Sequence, residues 1–493
     1  MFEAAEVGRS IGKAAFKDAE PEVHQRLLGL QQKLRGSNKA LIIIVSGVEG
    51  AGKGEVVDRL NRWFDTRDVQ TFAYFDESDE ERERPRFWRF WRTMPARGTI
   101  GVMFGSWYTR PIVDRVFEKI TASGLDQELQ RIQDLETTLA RDGNIIVKLW
   151  FHLSKREQQK RLKQDTEIAK FKKSPLLKEY SKSYDRFAKV SERAIRLTDT
   201  GLAPWHIVEA TDTRYRDIET GRTLIAALEA HLEAGDDRHD SEAPAPAISL
   251  TDPSSKRTVL DAVDLTQALA PKAYEKALEK AQARLHKLAW AMNREKKNAV
   301  LVFEGWDAAG KGSAIRRVTS AIDARLYRVI PIAAPTDEEK AHHYLWRFWR
   351  HVPRAGYMTM YDRSWYGRVL VERVEGFADE NEWLRSYQEI NNFEEHLTDH
   401  GIAVMKFWVH ISFEEQLARF KARQTDATKQ HKITDEDWRN REKWNDYKLA
   451  VNDMVAHTST DSAPWTLVAG NDKNFARVQI LETVCEGLES ILQ

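Results

Sequence analysis

Cysteine is almost absent from this chain. Cys485 stands alone among 493 residues, so no intrachain disulfide can form and no cysteine-based metal site exists. Net charge is lacking too: 76 Lys and Arg balance 76 Asp and Glu. This excludes a bulk electrostatic attraction to nucleic acid while leaving local basic clefts open. No run approaches the ~18 apolar residues that a membrane span needs, and the opening Met1-Phe2-Glu3-Ala4-Ala5-Glu6 lacks the basic stretch and apolar core of a secretory signal. The expectation is a cytoplasmic protein with neither membrane nor nucleic-acid partners.

Aromatic residues, by contrast, are plentiful. With 16 Trp and 20 Phe the chain has apolar surface for two interiors, and its length exceeds what one ordinary core organises. A glycine-rich loop occurs twice. Val300 to Ser313 reads as a buried strand entering a glycine turn and a helix start, and Leu41 to Gly54 repeats it. The spacing from Lys53 to Lys311 also links Trp88-Arg89-Phe90-Trp91-Arg92 to Trp346-Arg347-Phe348-Trp349-Arg350, Lys148 to Lys406, and Arg161 to Arg419. It then lengthens by two residues, since Ala203-Pro204-Trp205 matches Ala463-Pro464-Trp465. This register marks an internal duplication.

The spacing predicts a domain over 1–235, a polar, proline-bearing linker over 236–256, and a second domain over 257–493. Helical periodicity runs over Glu22 to Arg35 and Ala273 to Arg294, ahead of each loop. Later strands are expected from Ile145 to Leu153 and Ile402 to Ile411, each following a helix that ends at a glycine, Gly143 or Gly401. Strands separated by helices build parallel sheets covered on both faces. The predicted fold is α/β, with two tandem P-loop α/β/α sandwiches and helical lids.

Gly305, Gly310, Lys311 and Gly312 form an anion cradle: glycines let backbone N–H groups converge on phosphate oxygens, the helix start adds its positive end, and Lys311 a full charge. Ser313 closes the motif. Phosphoryl transfer also calls for a metal and for groups that orient the reactants. Asp307 lies in the loop, and Asp362 ends the apolar run Tyr357 to Tyr361, where sheet ligands bind. Asp362 reads as a metal-holding carboxylate or as a cap for a helix beginning near Ser364. Arg347, Arg350, Arg354, Arg363 and Arg368 suit a chain of phosphates, although an amphipathic helix with solvated arginines explains the same pattern. Arg419, Arg423 and Lys432 fall where a lid would close.

These residues resemble the polyphosphate kinase 2 family: the loop from Gly305 to Ser313, Trp346 to Arg350, Asp362-Arg363-Ser364-Trp365-Tyr366-Gly367-Arg368, Ser462 to Trp465, and Asn471-Asp472-Lys473. The resemblance to its two-domain members implies transfer of the terminal phosphate of inorganic polyphosphate to AMP, giving ADP, with Mg²⁺. It further implies catalytic roles for Asp307, Lys311, Asp362 and Arg363, metal binding by Asp307 and Asp362, phosphate or nucleotide binding by Lys473, and a homo-oligomer, a dimer of two-domain chains. ADP or GDP as the acceptor, with ATP or GTP as product, stays open, as does a polyanion-binding scaffold. The first copy has Glu49 for Asp307, Glu55 for Ser313, Phe104-Gly105 for Asp362-Arg363, and Thr213 for Lys473. It is expected to be degenerate and structural, with Gly47, Gly52, Lys53, Arg89 and Arg92 left as residual anion-binding groups.

Overall fold

The computed structural model describes residues 1–163, 182–232, 248–252, 254, 257–427, 430 and 433–493. Most of the stretch read as a linker lies outside these residues, as does Lys432. The chain divides into two compact units. One comprises Met1–Glu77, Phe90–Glu242 and Asp337–His343, the other Ser78–Arg89, Ala243–Thr336 and Tyr344–Gln493. Among the described residues no helix is long and apolar enough to cross a membrane.

Each unit holds a five-stranded parallel sheet. In the first, β1 (Ala40–Gly47), β2 (Val69–Ala73), β3 (Ile100–Phe104), β4 (Asn144–His152) and β5 (Trp205–Glu209) lie in the order β2-β3-β1-β4-β5. In the second, β6 (Asn298–Gly305), β7 (Tyr327–Pro331), β8 (Met358–Asp362), β9 (Ile402–His410) and β10 (Trp465–Ala469) lie in the corresponding order β7-β8-β6-β9-β10. The central strands are buried on both faces, which is why β1 and β6 read as unbroken apolar runs and not as alternations. The helix before β1 spans Lys13–Arg35, longer than its sequence periodicity suggests, and carries Pro21 inside it. Proline forfeits one ladder bond; the exposed stretch ahead of it has no apolar stripe to read.

Beneath each sheet's functional end lies an ionic network, the same in both units. Lys406 on β9 is fully buried, and its ammonium donates to Glu394 Oε2 (2.7 Å), Tyr366 Oη (2.9 Å) and the Thr458 carbonyl (2.6 Å). Trp365 Nε1 and Tyr366 Oη donate to the other glutamate oxygen at 3.0 and 2.6 Å. Lys148, Glu136, Tyr108, Trp107 and Thr198 repeat the arrangement. Burial pushes the glutamate pKa up and the lysine pKa down in both units; the pairing and its hydrogen bonds oppose this. Lys406→Met strands the Glu394 carboxylate and should cost about 3–5 kcal/mol in denaturant unfolding, whereas adding Glu394→Leu should recover much of that loss.

Candidate functional site

The second loop is shaped by what surrounds it. At Gly305 (φ +150°) an added Cβ would meet the Val409 carbonyl oxygen at 2.6 Å, so only glycine lets β6 leave the sheet here. The chain then turns through Ala308 and Gly310, both at positive φ, and the helix Lys311–Thr319 begins. Lys311 Nζ donates to the carbonyls of Gly305 (2.6 Å) and Trp306 (3.3 Å). Arg419 corrects a sequence expectation. Its buried guanidinium donates to the carbonyls of Ala308, Ala309, Gly470 and Asn471 at 2.6–3.1 Å and to Glu415 at 2.6 Å, so it braces the loop and the β10 turn instead of offering its donors to phosphate. Arg161 does the same for Gly50, Ala210 and Thr211.

Above the loop opens a cleft of about 690 Å³. Asp307, Gly310, Lys311, Gly312, Ser313, Asp362, Arg363, Arg423 and Lys473 line it, as does part of Arg419. Asp362 ends β8 in register with Phe303, and its Oδ2 lies 3.8 Å from where a Cβ on Gly312 would stand. The cap of the following turn is Ser364, whose hydroxyl accepts from the Tyr366 amide; Asp362 is not spent on capping. Asp307 Oδ2 accepts from Asn440 Nδ2 (2.9 Å), and Oδ1 lies 3.4 Å from Arg363 Nη2. Arg363 has φ +64°, a left-handed conformation that side chains with a Cβ adopt at a cost of about 1–2 kcal/mol. Gly105 takes that conformation freely at the matching position of the first copy.

Four expected phosphate ligands are placed elsewhere. Arg347 donates to the Ala333 carbonyl (2.8 Å), Arg350 stacks over Trp346 (4.6 Å), Arg354 pairs with Glu83 of the same unit (3.0 Å), and Arg368 pairs with Glu372 (3.2 Å) beneath a stack on Tyr344. None is among the residues that line the cleft. The cleft instead gains Arg316, five residues after Lys311, and Arg477, four residues after Lys473. For Arg477, the four-residue spacing from Lys473 on one helix was the available sign. Asn440 and Glu304, which accepts from Ser364 Oγ at 2.8 Å, carried no comparable signal.

The matching region of the first copy is built differently. Lys53 Nζ lies 3.0 Å from Glu49 and donates to the Gly47 and Val48 carbonyls, so its charge is answered within the loop. Buried Arg216 donates to the Ala51 carbonyl (3.1 Å) and Glu55 (3.2 Å), and a Cβ on Gly52 would come within 1.9 Å of it. In the second copy Ala476 occupies the equivalent helix position, and nothing lies closer than 3.6 Å to a Cβ on Gly310. The first copy's cavity, about 440 Å³, is walled by Phe75, Phe104, Tyr108, Trp150, Tyr184 and Phe187 among others. Glu49 is the carboxylate in that lining and is paired with Lys53, and the aromatic walls add no ligand for a hard cation.

Asp307 and Asp362 are hard oxygen donors facing one cleft. No cluster of three or more potential metal-ligating His, Cys, Asp or Glu side chains occurs among the described residues. That donor set fits Mg²⁺, which is commonly held by one or two carboxylates together with water and substrate phosphates.

The polyphosphate kinase 2 family model matches residues 11–235 and again 268–492. A polyphosphate:AMP phosphotransferase of Pseudomonas aeruginosa is 47% identical over 99% of both chains. One of the same name from Acinetobacter johnsonii is 37% identical over 92% of this chain and 91% of that protein. A crystal structure described as a polyphosphate kinase 2 from Pseudomonas aeruginosa covers 100% of this chain and 99% of its own, with TM-score 0.90 and 46% identity. The matched pair of sheets, the duplicated loop and these likenesses have one meaning: the chain belongs to the polyphosphate kinase 2 family.

Proposed function

We propose that the second copy transfers the terminal phosphate of inorganic polyphosphate to AMP, giving ADP. The observation that carries the choice of AMP is the full-length likeness to relatives named for that acceptor, both copies included. The chemistry asks for little covalent participation by protein. A phosphoryl group passing between two phosphate oxygens needs alignment and charge compensation, and no protein nucleophile.

In this reading the polymer end enters the cleft over Lys311. Backbone N–H groups of the loop and the start of the Lys311–Thr319 helix hold its oxygens, and Arg316, Lys473 and Arg477 extend the positive surface. Asp307 and Asp362 would hold Mg²⁺, which when bound neutralises phosphate charge and orients the transferred group. Lys311 and Arg363 offset the charge that spreads over the equatorial oxygens during transfer. The first copy is read as non-catalytic: it has Phe104 where Asp362 stands, and internal ion pairs at its loop.

Incubating the protein with Mg²⁺ and polyphosphate, then offering AMP, ADP and GDP separately, should give ADP from AMP as the fastest product. Preferential formation of ATP or GTP would move the assignment to a diphosphate acceptor, and absence of any product would favour a scaffold. Lys311→Ala should lower kcat by about 10²–10³-fold, the usual loss for one charge-stabilising donor, with Lys53→Ala nearly silent. Arg363→Gly should separate function from stability: activity falls, while relief of left-handed strain leaves stability unchanged or raises it by about 1 kcal/mol in chemical denaturation.

A further inference from the structure

We propose that Asn440 is a positioning residue for the Asp307 carboxylate: the helix Asp435–Glu442 carries it to the loop, where its amide holds that carboxylate facing the cleft. The inference rests on the reading of Asp307 as a ligand of the divalent cation.

Asn440 Nδ2 donates to Asp307 Oδ2 at 2.9 Å, a closer contact than the 3.4 Å between Oδ1 and Arg363 Nη2. Each carboxylate oxygen can accept more than one bond, so this one fixes the group and leaves capacity for a cation. The amide is itself oriented from its other side. The Tyr447 hydroxyl lies 3.4 Å from Asn440 Oδ1, and an amide whose oxygen meets a hydroxyl turns its nitrogen to Asp307. Burial pushes the Tyr447 pKa up, so at neutral pH the hydroxyl keeps the proton it donates.

The neighbours of Asn440 dock against the same stretch of loop. Arg441 stacks over Phe413 at 3.3 Å and donates to Gln416 Oε1 at 3.0 Å, while Gln416 Nε2 donates to the Asp307 carbonyl at 3.2 Å. Trp444, just beyond the helix, stacks on Trp306 at 3.7 Å with the ring planes 12° apart. Trp306 Nε1 in turn donates to His410 Nδ1 at 3.0 Å, and burial lowers the His410 pKa to about 4, so a neutral imidazole receives it. The helix therefore grips Asp307 and the residue before it from several sides.

The first copy separates the main-chain hold from the side-chain hold. Gln158 donates to the Glu49 carbonyl at 2.9 Å, as Gln416 does to that of Asp307. Thr198 and Thr458 both accept from the buried lysine, which registers Tyr184 with Trp444 and Phe187 with Tyr447, and Val48 stands for Trp306. A phenylalanine cannot orient an amide, and Glu49, one methylene longer than aspartate, lies 3.0 Å from Lys53. The loop main chain is held alike in both copies; the hold on its carboxylate is what differs.

Binding of Mn²⁺ to the full chain, measured by calorimetry without nucleotide or polyphosphate, tests this. Asn440→Ala should weaken it about tenfold, the scale on which hydrogen-bond partners of metal-ligating groups act, and lower kcat with little change in the KM for AMP. Hydrogen exchange over residues 435–458 should be unchanged; faster exchange there means that Asn440 anchors the helix, and overturns the positioning role. In an Asp307→Asn background, where the amide meets no carboxylate, Asn440→Ala should lower kcat much less than in the parent chain. An equal factor in both backgrounds means that Asn440 acts elsewhere and overturns the proposal. Asp307→Ala should also weaken Mn²⁺ binding: if it does and Asn440→Ala does not, the proposal alone falls, whereas unchanged binding by Asp307→Ala removes the reading of Asp307 and the proposal with it.

Discussion

A lysine and a glutamate, paired out of reach of water, set the geometry of each unit. Through Tyr366 and Trp365 the pair ties the turn after β8 to β9 and to the end of the Trp444–Thr458 helix. Asp362 and Arg363 immediately precede that turn, so the core fixes where they stand. A charge pair in this position specifies one arrangement because every alternative leaves an ion unmatched in an apolar interior. The first unit keeps the pair, the tyrosine and the tryptophan although Phe104 and Gly105 now lie ahead of the turn. The network therefore belongs to the fold, and the chemistry above it can be exchanged.

Duplication separates the two kinds of residue within one molecule. Lys406, Glu394, Tyr366, Ser364, Gln416 and Arg419 all have identical counterparts in the first copy, and all are engaged in bonds that hold elements together. Asp307, Ser313, Asp362, Arg363, Lys473 and Arg477 have none, and they gather around one cleft. The packing residues are kept in both copies, and within the cleft the loop glycines and lysine are kept while the carboxylates and most of the other polar groups differ.

Much of the architecture was legible in the sequence because long apolar runs, glycine loops and terminating glycines report local physics. β6, β8 and β9 fall where the apolar runs place them, and Asp362 ends its strand as read. Arg419 was misread because an arginine in a helix beyond the sheet looks the same whether it faces phosphate or carbonyls; its carbonyl partners come from residues more than 50 positions away. The arginines of Trp346–Trp349 and its surroundings were ambiguous for the same reason, and ring stacking and carboxylates claim them. Glu304 was hidden inside an apolar strand, and its hydrogen-bond partner Ser364 comes from the turn after β8.

The guanidinium of Arg216 fills the space over Gly52 from a helix far along the chain, with Glu55 and Asp217 as its counterions. The first copy's loop is therefore filled as well as short of a carboxylate. Substituting an aspartate for Phe104 would supply a carboxylate to a nest already stoppered by the protein itself, so admitting a phosphate there must begin by extracting that plug.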